Sequence, residues 1–446
     1  MKILFVSLGC DKNLVDTEEM IGLLGDNGYE LTNDEMQADI IIINTCCFID
    51  DAKKESINTI IEMSEYKVNG TCKSLIVTGC LAQRYKDEIL TEIPEIDAIV
   101  GTTSIDKIVD AVKASLSDGE KYFMDQPDRL PVVKADRVSV TGGWYEYLKI
   151  AEGCDKKCTY CIIPKIRGRY RSYPMDYLLA RARDLVAAGT KEIILVAQEV
   201  TMYGTDLPGK HKMLTRLIKG LAGIRGLEWI RLLYCYPEEI TDDLIFLLQN
   251  EPKLCKYIDM PIQHASDAVL KYMGRKTDKK HIEKIIKKLR DKVPDICIRT
   301  TFISGFPGET AYDHETLKEF IKYNELDRVG IFTYSAEEGT PAAKFPGQIP
   351  DDLKEKRRGE LMELQQAVSE KIQKRFVGKT MTAIIDGFIP EDDVYVARTY
   401  RDAPDVDGNI FINPGPDTSR DMVSGTFVKV KVTGSTEYDL IGDIVE

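Results

Sequence analysis

Residues 151–164 read AEGCDKKCTYCIIP, three cysteines in a C-x3-C-x2-C run directly after the apolar segment Tyr147–Ile150. An apolar run that opens into a loop of ligand-type side chains reads as a buried strand presenting chemistry at its carboxyl end. Three thiolates on one loop can face one ion or cluster. Structural zinc takes four ligands, as does a cluster held entirely by protein, yet no fourth cysteine lies close behind Cys161. The loop therefore leaves one coordination position open, or else it borrows a distant fourth ligand as a zinc knuckle would.

Outward from this loop the chain alternates. YLKIAEG, EIILVAQ, WIRLLYC, YIDMPIQ, CIRTTFISG and VGIFTYS are each followed by a helical or loop-plus-helical segment, from Tyr147 to about Ser335. Six βα units in series predict an α/β barrel that stops short of the eight units of a closed one. Between residue 1 and about 117, ILFVSLG, ADIIIINT, KSLIVTG and DAIVG alternate with helical periodicity. Continuous apolar strands between amphipathic helices predict a parallel sheet covered on both faces. DDLKEKRRGELMELQQAVSEKIQKRF is one long charged helix, and MTAIID, DVYVARTY, NIFI, FVKVKVTG and YDLIGDIV predict a small all-β barrel. The expected organisation is a multidomain α/β chain. A parallel α/β sheet domain spans 1–117, a linker 118–140, a partial (βα)6 barrel 141–350, a connecting helix 351–375 and the β-barrel 376–446.

The chain of 446 residues is too long for a single core. It is 43% apolar and 30% charged, and no apolar run approaches the roughly 18 to 20 residues that span a bilayer, so no membrane association is expected. The opening MKILFVSLGC has an apolar run of about six residues, shorter than the roughly 7 to 15 of a secretory core, and a helical pattern follows it. A cytoplasmic protein is expected, in which clustered cysteines are metal ligands or catalysts rather than disulfides. A net charge of −13 argues against a diffuse grip on long nucleic acid.

A second set of cysteines falls in the first domain. Cys10, Cys46 and Cys80 each follow a predicted parallel strand, at the edge where open α/β sheets gather ligands. One cysteine there could be a small hydrophobe. Three in the same topological position, each in a Gly- or Asn-containing turn, read as ligands of a second cluster. Cys47 adjoins Cys46, but neighbours in a turn point apart, so Cys47 is the spare. Cys72, Cys235, Cys255 and Cys297 show no partner pattern and are read as structural.

The C-x3-C-x2-C loop at the end of the first barrel strand resembles the radical S-adenosylmethionine superfamily. SLGCDKNLVDTE (7–18), NTCCFI (44–49), TGCLAQRY (78–85), EGCDKKCTYCIIPKIRG (152–168) and FISGFPGET (302–310) together resemble its methylthiotransferases over nearly the entire chain. The resemblance implies two [4Fe–4S] clusters and S-adenosylmethionine. Cys154, Cys158 and Cys161 would be the catalytic set, holding a cluster whose open iron binds S-adenosylmethionine and generates a 5′-deoxyadenosyl radical. Cys10, Cys46 and Cys80 would hold a second cluster whose open iron carries the sulfur to be methylated and transferred to an unactivated carbon. It also implies Tyr160 against the adenine side, and Gln198 and Glu199 near the cofactor's amino group. The turn of ISGFPGE, with Gly305 and Phe306, would come close to the ligand. Arg231, Gln263 and Arg299 are cofactor-binding candidates by position alone, each with a plain alternative as a capping or salt-bridge residue.

SLGCDKNLVDTE resembles the branch that modifies an aspartate β-carbon in a small-subunit ribosomal protein; the tRNA-modifying branch usually has Gln after the cysteine. The last domain resembles a TRAM domain, yet residues 376–446 carry six Lys and Arg against thirteen Asp and Glu. An RNA-gripping barrel is basic, so direct tRNA binding is not expected, whereas an acidic one suits a basic ribosomal protein. APDVDGNIFI (403–412) resembles the same branch, in a loop expected to touch the substrate, and Glu391, Asp392, Asp393, Asp405 and Asp407 are the acidic docking candidates. An electron donor of flavodoxin or ferredoxin type is the second expected partner. Two alternatives stand beside this reading: the same chemistry on a tRNA adenosine near the anticodon, and a non-catalytic iron–sulfur scaffold or electron carrier, which would need neither the barrel nor the glycine turn.

Overall fold

A computed structural model describes residues 1–117, 119–133, 135–414 and 422–445. Its first domain alternates β1 (Lys2–Ser7), α1 (Asp11–Asp26), β2 (Glu30–Leu31), β3 (Ile40–Thr45), α2 (Asp50–Val68), β4 (Ser74–Gly79), α3 (Cys80–Glu92), β5 (Ala98–Val100), α4 (Ile108–Ser115) and β6 (Tyr122–Phe123). The strands form one parallel sheet in the order β2-β1-β3-β4-β5-β6. Every residue of β3 and β4 is buried, as expected of strands covered on both faces. The connector expected over 118–140 is packed rather than free. β6 adds the last strand of the sheet, and Val133 and Ala135 enter the core beside α1 and α4.

The second domain runs β7 (Tyr145–Lys149), β8 (Ala151–Glu152), α5 (Ile163–Ile166), β9 (Arg171–Ser172), α6 (Met175–Ala187), β10 (Glu192–Val196), α7 (Leu214–Ala222), β11 (Trp229–Leu232), α8 (Asp242–Asn250), β12 (Tyr257–Asp259), α9 (Asp267–Tyr272), α10 (Lys279–Lys292), β13 (Cys297–Ser304), α11 (Ala311–Asn324) and β14 (Arg328–Thr333). Two parallel three-stranded sheets, β7-β10-β11 and β12-β13-β14, meet through the Ile230–Leu254 bridge, so β7 and β14 are the edges of an unclosed barrel. The helices cover its outside. Inside lie Tyr147, Ile194, Val196, Leu233 and Tyr257, closed on one side by Val15 of α1 and below by Ala403.

Helix α12 (Asp351–Gln373) leads into β15 (Thr380–Ile389), β16 (Val394–Thr399), β17 (Ile410–Asn413), β18 (Phe427–Ser435) and β19 (Leu440–Val445), a closed barrel in the order β15-β16-β17-β19-β18. It docks beneath the amino ends of the larger barrel's strands. Tyr145 and Tyr257 donate their hydroxyls to Asp405 (2.9 Å) and Asp407 (2.7 Å), and Arg398 donates to Glu192 (2.7 Å). The 403–412 segment thus forms the floor of the large barrel and faces away from its cysteine loop. Asp407 is engaged there, and Asp405 accepts from Tyr145 while remaining exposed; Glu391, Asp392 and Asp393 are exposed at the turn between β15 and β16.

Candidate active site: two thiol crevices across one interface

β1, β3 and β4 are adjacent in the sheet, so the three loops at their carboxyl ends sit side by side, about 4.8 Å apart per strand. Cys10 is the residue before α1, and Cys80 is the first residue of α3, so both stand where helix N–H groups and dipole favour negative charge. Gly9 (φ +91°) and Gly79 (φ +90°) make the approach possible: a β-carbon on Gly9 would lie 2.6 Å from the Cβ of Cys46, and one on Gly79 would lie 2.3 Å from Asn44 Oδ1. The Cys80 thiol contacts Asn13 Oδ1 at 3.8 Å. Cys47 is fully buried beside Arg84, whose guanidinium donates to its carbonyl (3.1 Å) and to Glu337 (2.8 Å), and it packs in the same cluster as Cys80.

The barrel loop places Cys154 in the buried layer and leaves Cys158 and Cys161 half-exposed. Thr159 is pinned by backbone bonds to Met273 and Ala342, and Tyr160 packs edge-on against Phe306 (6.4 Å), itself edge-on to Tyr334. Phe306 belongs to the ISGFPGE turn, whose Gly305 (φ +73°) lies against Lys354; Glu309 accepts both the Gly305 (2.7 Å) and Phe306 (3.2 Å) amides. Gln198, two residues past β10, has both amide atoms buried and without a partner. Next to it Glu199 is buried, 3.6 Å from Lys156, and burial pushes its carboxyl up to about 7. Gln263 stands at the same end of the barrel in a left-handed backbone (φ +77°), paired through its backbone to Thr301 and Ile303.

Arg231 and Arg299 do not share that end. Arg299 is the third of the eight residues of β13, near its amino end, and Arg231, the third of the four residues of β11, turns its side chain toward the first residue of β10 and the small barrel. Arg231 donates to Glu192 (2.7 Å) and to the Tyr400 carbonyl (2.7 Å), and Arg299 donates to Asp259 (2.9 Å) and pairs with Asp407 (3.4 Å). Their side chains hold the floor of the barrel, so the salt-bridge alternative describes them. Sequence reasoning missed Arg275, Asn13 and Arg167. Arg275 lies over the Tyr236 ring (4.2 Å), with Nε and Nη1 buried and unpartnered.

Arg167, just past α5 and six residues after Cys161, joins the two crevices. It is 1% exposed and donates to both oxygens of Glu152 (3.2 and 3.0 Å), to Asn13 Oδ1 (2.6 Å) and to Asp16 Oδ2 (3.0 Å), while Lys149 pairs with Asp16 and Glu152. Asn13 therefore touches a thiol of one set and the guanidinium that follows the other. Lys149 and Arg167 hold the Glu152 carboxyl down at about 2.

Among the described residues neither cysteine set is drawn together as a single tetrahedral ion would draw it. Among the described residues, the one trio of metal-type donors within 4.8 Å of one another is His314, Glu315 and Glu360, a surface group already occupied by the Lys318 ammonium. Neither cysteine trio is that tight, whereas tetrahedral zinc would draw thiolates to roughly 3.8 Å. Burial pushes the thiols of Cys154 and Cys161 up to about 12 and raises those of Cys46 and Cys80, so they are not free nucleophiles at neutral pH. A bound metal's charge is what releases such protons.

Three family models match the chain: Uncharacterized protein family UPF0004 over residues 2–101, Radical SAM superfamily over 148–323 and TRAM domain over 377–445. A curated "Ribosomal protein uS12 methylthiotransferase RimO" of Lachnoclostridium phytofermentans is 56% identical over 442 residues, 99% of each chain. Proteins of the same name from Acetivibrio thermocellus and Geobacter sulfurreducens are 47% and 46% identical, covering all of this chain and 98% of each of theirs. Among solved structures, the radical S-adenosylmethionine methyltransferase TsrM of Kitasatospora setae superposes with a TM-score of 0.55 at 12% identity, covering 95% of this chain and 83% of that one. That likeness is one of fold.

Proposed function

From the ribosomal protein uS12 methylthiotransferase family, to which this chain belongs, we propose the reaction: transfer of a methylthio group to the β-carbon of an aspartate of uS12 in the cytoplasm. The observation that carries it is the Cys80–Asn13–Arg167 contact, which fixes one set of three thiols against the loop bearing the other. A carrier or scaffold needs one such set, whereas sulfur transfer to a carbon radical needs two sites at a fixed separation.

Cys154, Cys158 and Cys161 would hold one [4Fe–4S] cluster with S-adenosylmethionine, and Cys10, Cys46 and Cys80 a second. When bound, these groups supply the radical, the methyl group and the sulfur. The chain's residues bind and orient. Glu199 and Gln198 offer acceptors for the cofactor's amino group, and the unpartnered N–H groups of Arg275 suit its carboxylate. Tyr160 and Phe306 give an apolar wall beside the cysteine loop. Glu309, by fixing the Gly305 and Phe306 amides, holds the adjoining turn rigid. The buried charge network at Arg167 excludes water from the seam between the sites. The acidic turn at Glu391 to Asp393 faces outward and suits the basic ribosomal protein, and a flavodoxin- or ferredoxin-type protein would supply electrons.

The test is anaerobic incubation of the two-cluster enzyme with S-adenosylmethionine, a reductant and either uS12 or tRNA, read by mass spectrometry. A methylthio mass gain on a uS12 aspartate is expected. Modification of tRNA alone would overturn the proposal.

A further inference from the structure

Resting on the reading that the acceptor is a protein aspartate, we infer that Lys12 receives the acceptor's carboxylate and so selects an anionic side chain at the seam between the two thiol crevices. Lys12 is two residues past Cys10 in the first turn of α1, with a side chain only 8% exposed. Its ammonium lies 3.0 Å from Asp11 Oδ1 and 3.4 Å from the centroid of the Tyr234 ring. Tyr234 comes from the other domain, two residues beyond β11, in a left-handed backbone (φ +58°) uncommon for a side chain of its size. Its amide donates to Asp259 (2.9 Å) and its hydroxyl to Asp11 Oδ1 (2.9 Å). Lys12 thus stands between the crevice of Cys10 and the carboxyl end of the barrel.

The surroundings are those of an incomplete site. The second oxygen of Asp11 is buried and has no hydrogen-bond partner. A buried carboxylate oxygen without a donor is costly, and an occupant that brings an N–H would satisfy it. An ammonium carries three N–H groups, which one carboxylate oxygen and one ring face do not exhaust. Cation and acceptor stand side by side, matched to the side-chain carboxylate and a backbone amide of one residue.

The other cations of the interface, Arg275 apart, are committed. Arg167 is held by Glu152, Asn13 and Asp16, Lys149 by Asp16 and Glu152, and Arg84 by Glu337 and two carbonyls. Arg275 stands by Tyr236 and Tyr160, on the side of Cys158. Electrostatics also asks for a local cation. A protein of net charge −13 attracts a basic partner but repels the acceptor aspartate itself, so a positive group at the reacting end must offset that repulsion. The β-carbon is directly bonded to the carboxyl carbon, so a cation holding the carboxylate also places the carbon that reacts. A neutral adenine offers no such anion.

The experiment compares two substrates within each enzyme: uS12, and uS12 with its acceptor aspartate changed to asparagine. Lys12→Met in the two-cluster enzyme should lower kcat/KM for uS12 about 10- to 100-fold, the loss expected of one charge-assisted contact, chiefly through KM. The preference for aspartate over asparagine should collapse towards unity, and Lys12→Arg should restore it in part. Binding of short aspartate- and asparagine-containing uS12 peptides to cluster-free protein, measured by calorimetry, should lose the same discrimination. Because the ratio is internal to each variant, a general loss of fold lowers both rates and leaves it unchanged. An unchanged ratio in Lys12→Met would overturn the assignment of Lys12. Wild-type enzyme that leaves uS12 unmodified while modifying tRNA would overturn the proposed function, and this inference with it.

Discussion

Replacing Arg167 by glutamine tests whether the two halves of the site are held by the buried charge network. The guanidinium makes four hydrogen bonds from a position 1% exposed, and glutamine cannot reproduce their fork geometry. Glu152 and Asp16 would be left with Lys149 alone, two buried carboxylates sharing one ammonium. Removing one member of a buried ion pair costs about 3–5 kcal/mol, because the remaining charge is uncompensated. The cost falls on the contact between α1 and the β7–β8 segment, so hydrogen exchange in cluster-free protein is the assay. If the interface opens as a unit, amides of α1 should exchange at least about 100-fold faster in Arg167→Gln, since each 1.4 kcal/mol is about tenfold. The sign of the pH dependence follows from Glu152. Its carboxyl is held at about 2 in the folded protein, below an ordinary value near 4.3, so it contributes stability above pH 4.3 that is lost as pH falls toward 2. The variant gives up part of that contribution, and the gap between the two proteins should narrow below about pH 4. Exchange in α1 within about threefold of wild type at pH 7 would show that the network does not hold the domains together, and the reasoning would fail.

Changing Cys154, Cys158 and Cys161 to Ala should remove about half of the iron of the reconstituted protein, and changing Cys10, Cys46 and Cys80 the other half, leaving cleavage of S-adenosylmethionine in the second case; iron analysis and product chromatography decide this. Cys47→Ala should keep appreciable methylthio transfer where Cys46→Ala abolishes it, because the Cys47 thiol is buried beside Arg84; equal losses would identify Cys47 as the ligand. Glu199, raised to about 7 by burial, binds a proton in the folded state that it lacks when unfolded, so its contribution is full below pH 4.3 and lost as pH rises through 7. Thermal unfolding of cluster-free wild type should therefore weaken from pH 5.5 to 8 relative to Glu199→Gln, and parallel curves would contradict the assignment. Lys at positions 391, 392 and 393 should weaken uS12 binding and its salt dependence without changing iron content, whereas tighter productive binding of tRNA would sink the role given to the acidic turn.

Strand periodicity was enough to foresee both parallel sheets and the closed small barrel, because runs such as IIIINT (40–45) and EIILV (192–196) are apolar on both faces. The order of strands was not legible. Nothing local says that β1, β3 and β4 are neighbours, and that adjacency brings the loops of Cys10, Cys46 and Cys80 together. Arg299 was misplaced for a readable reason, being the third of eight residues in its strand, toward the amino end, whereas ligand-binding residues of α/β barrels sit at carboxyl ends; Arg231, the third of only four, gave no such warning, and its contacts with Glu192 and the Tyr400 carbonyl are what take it to the floor. Asn13 and Arg167 gave no such signal, since a contact across 154 residues depends on how two domains dock.

The interface between those domains is rich in charge: Arg167 with Asp16, Lys149 with Asp16 and Arg84 with Glu337 all cross it. Buried pairs of this kind add little net stability over apolar packing, but they penalise any slip that leaves a charge unpaired. An apolar interface tolerates small displacements. A reaction in which a short-lived carbon radical must meet a sulfur held by another domain does not, because reacting atoms have to approach to about 3–3.5 Å. The same reasoning accounts for the small barrel beneath the large one. Asp405 and Asp407 accept from the hydroxyls of Tyr145 and Tyr257, and Arg398 donates to Glu192, so the floor is fixed by directed bonds to three strands at once. On the proposed reaction, rigidity at the floor and at the seam is what would let the two cysteine loops, borne by separate domains, act as one site.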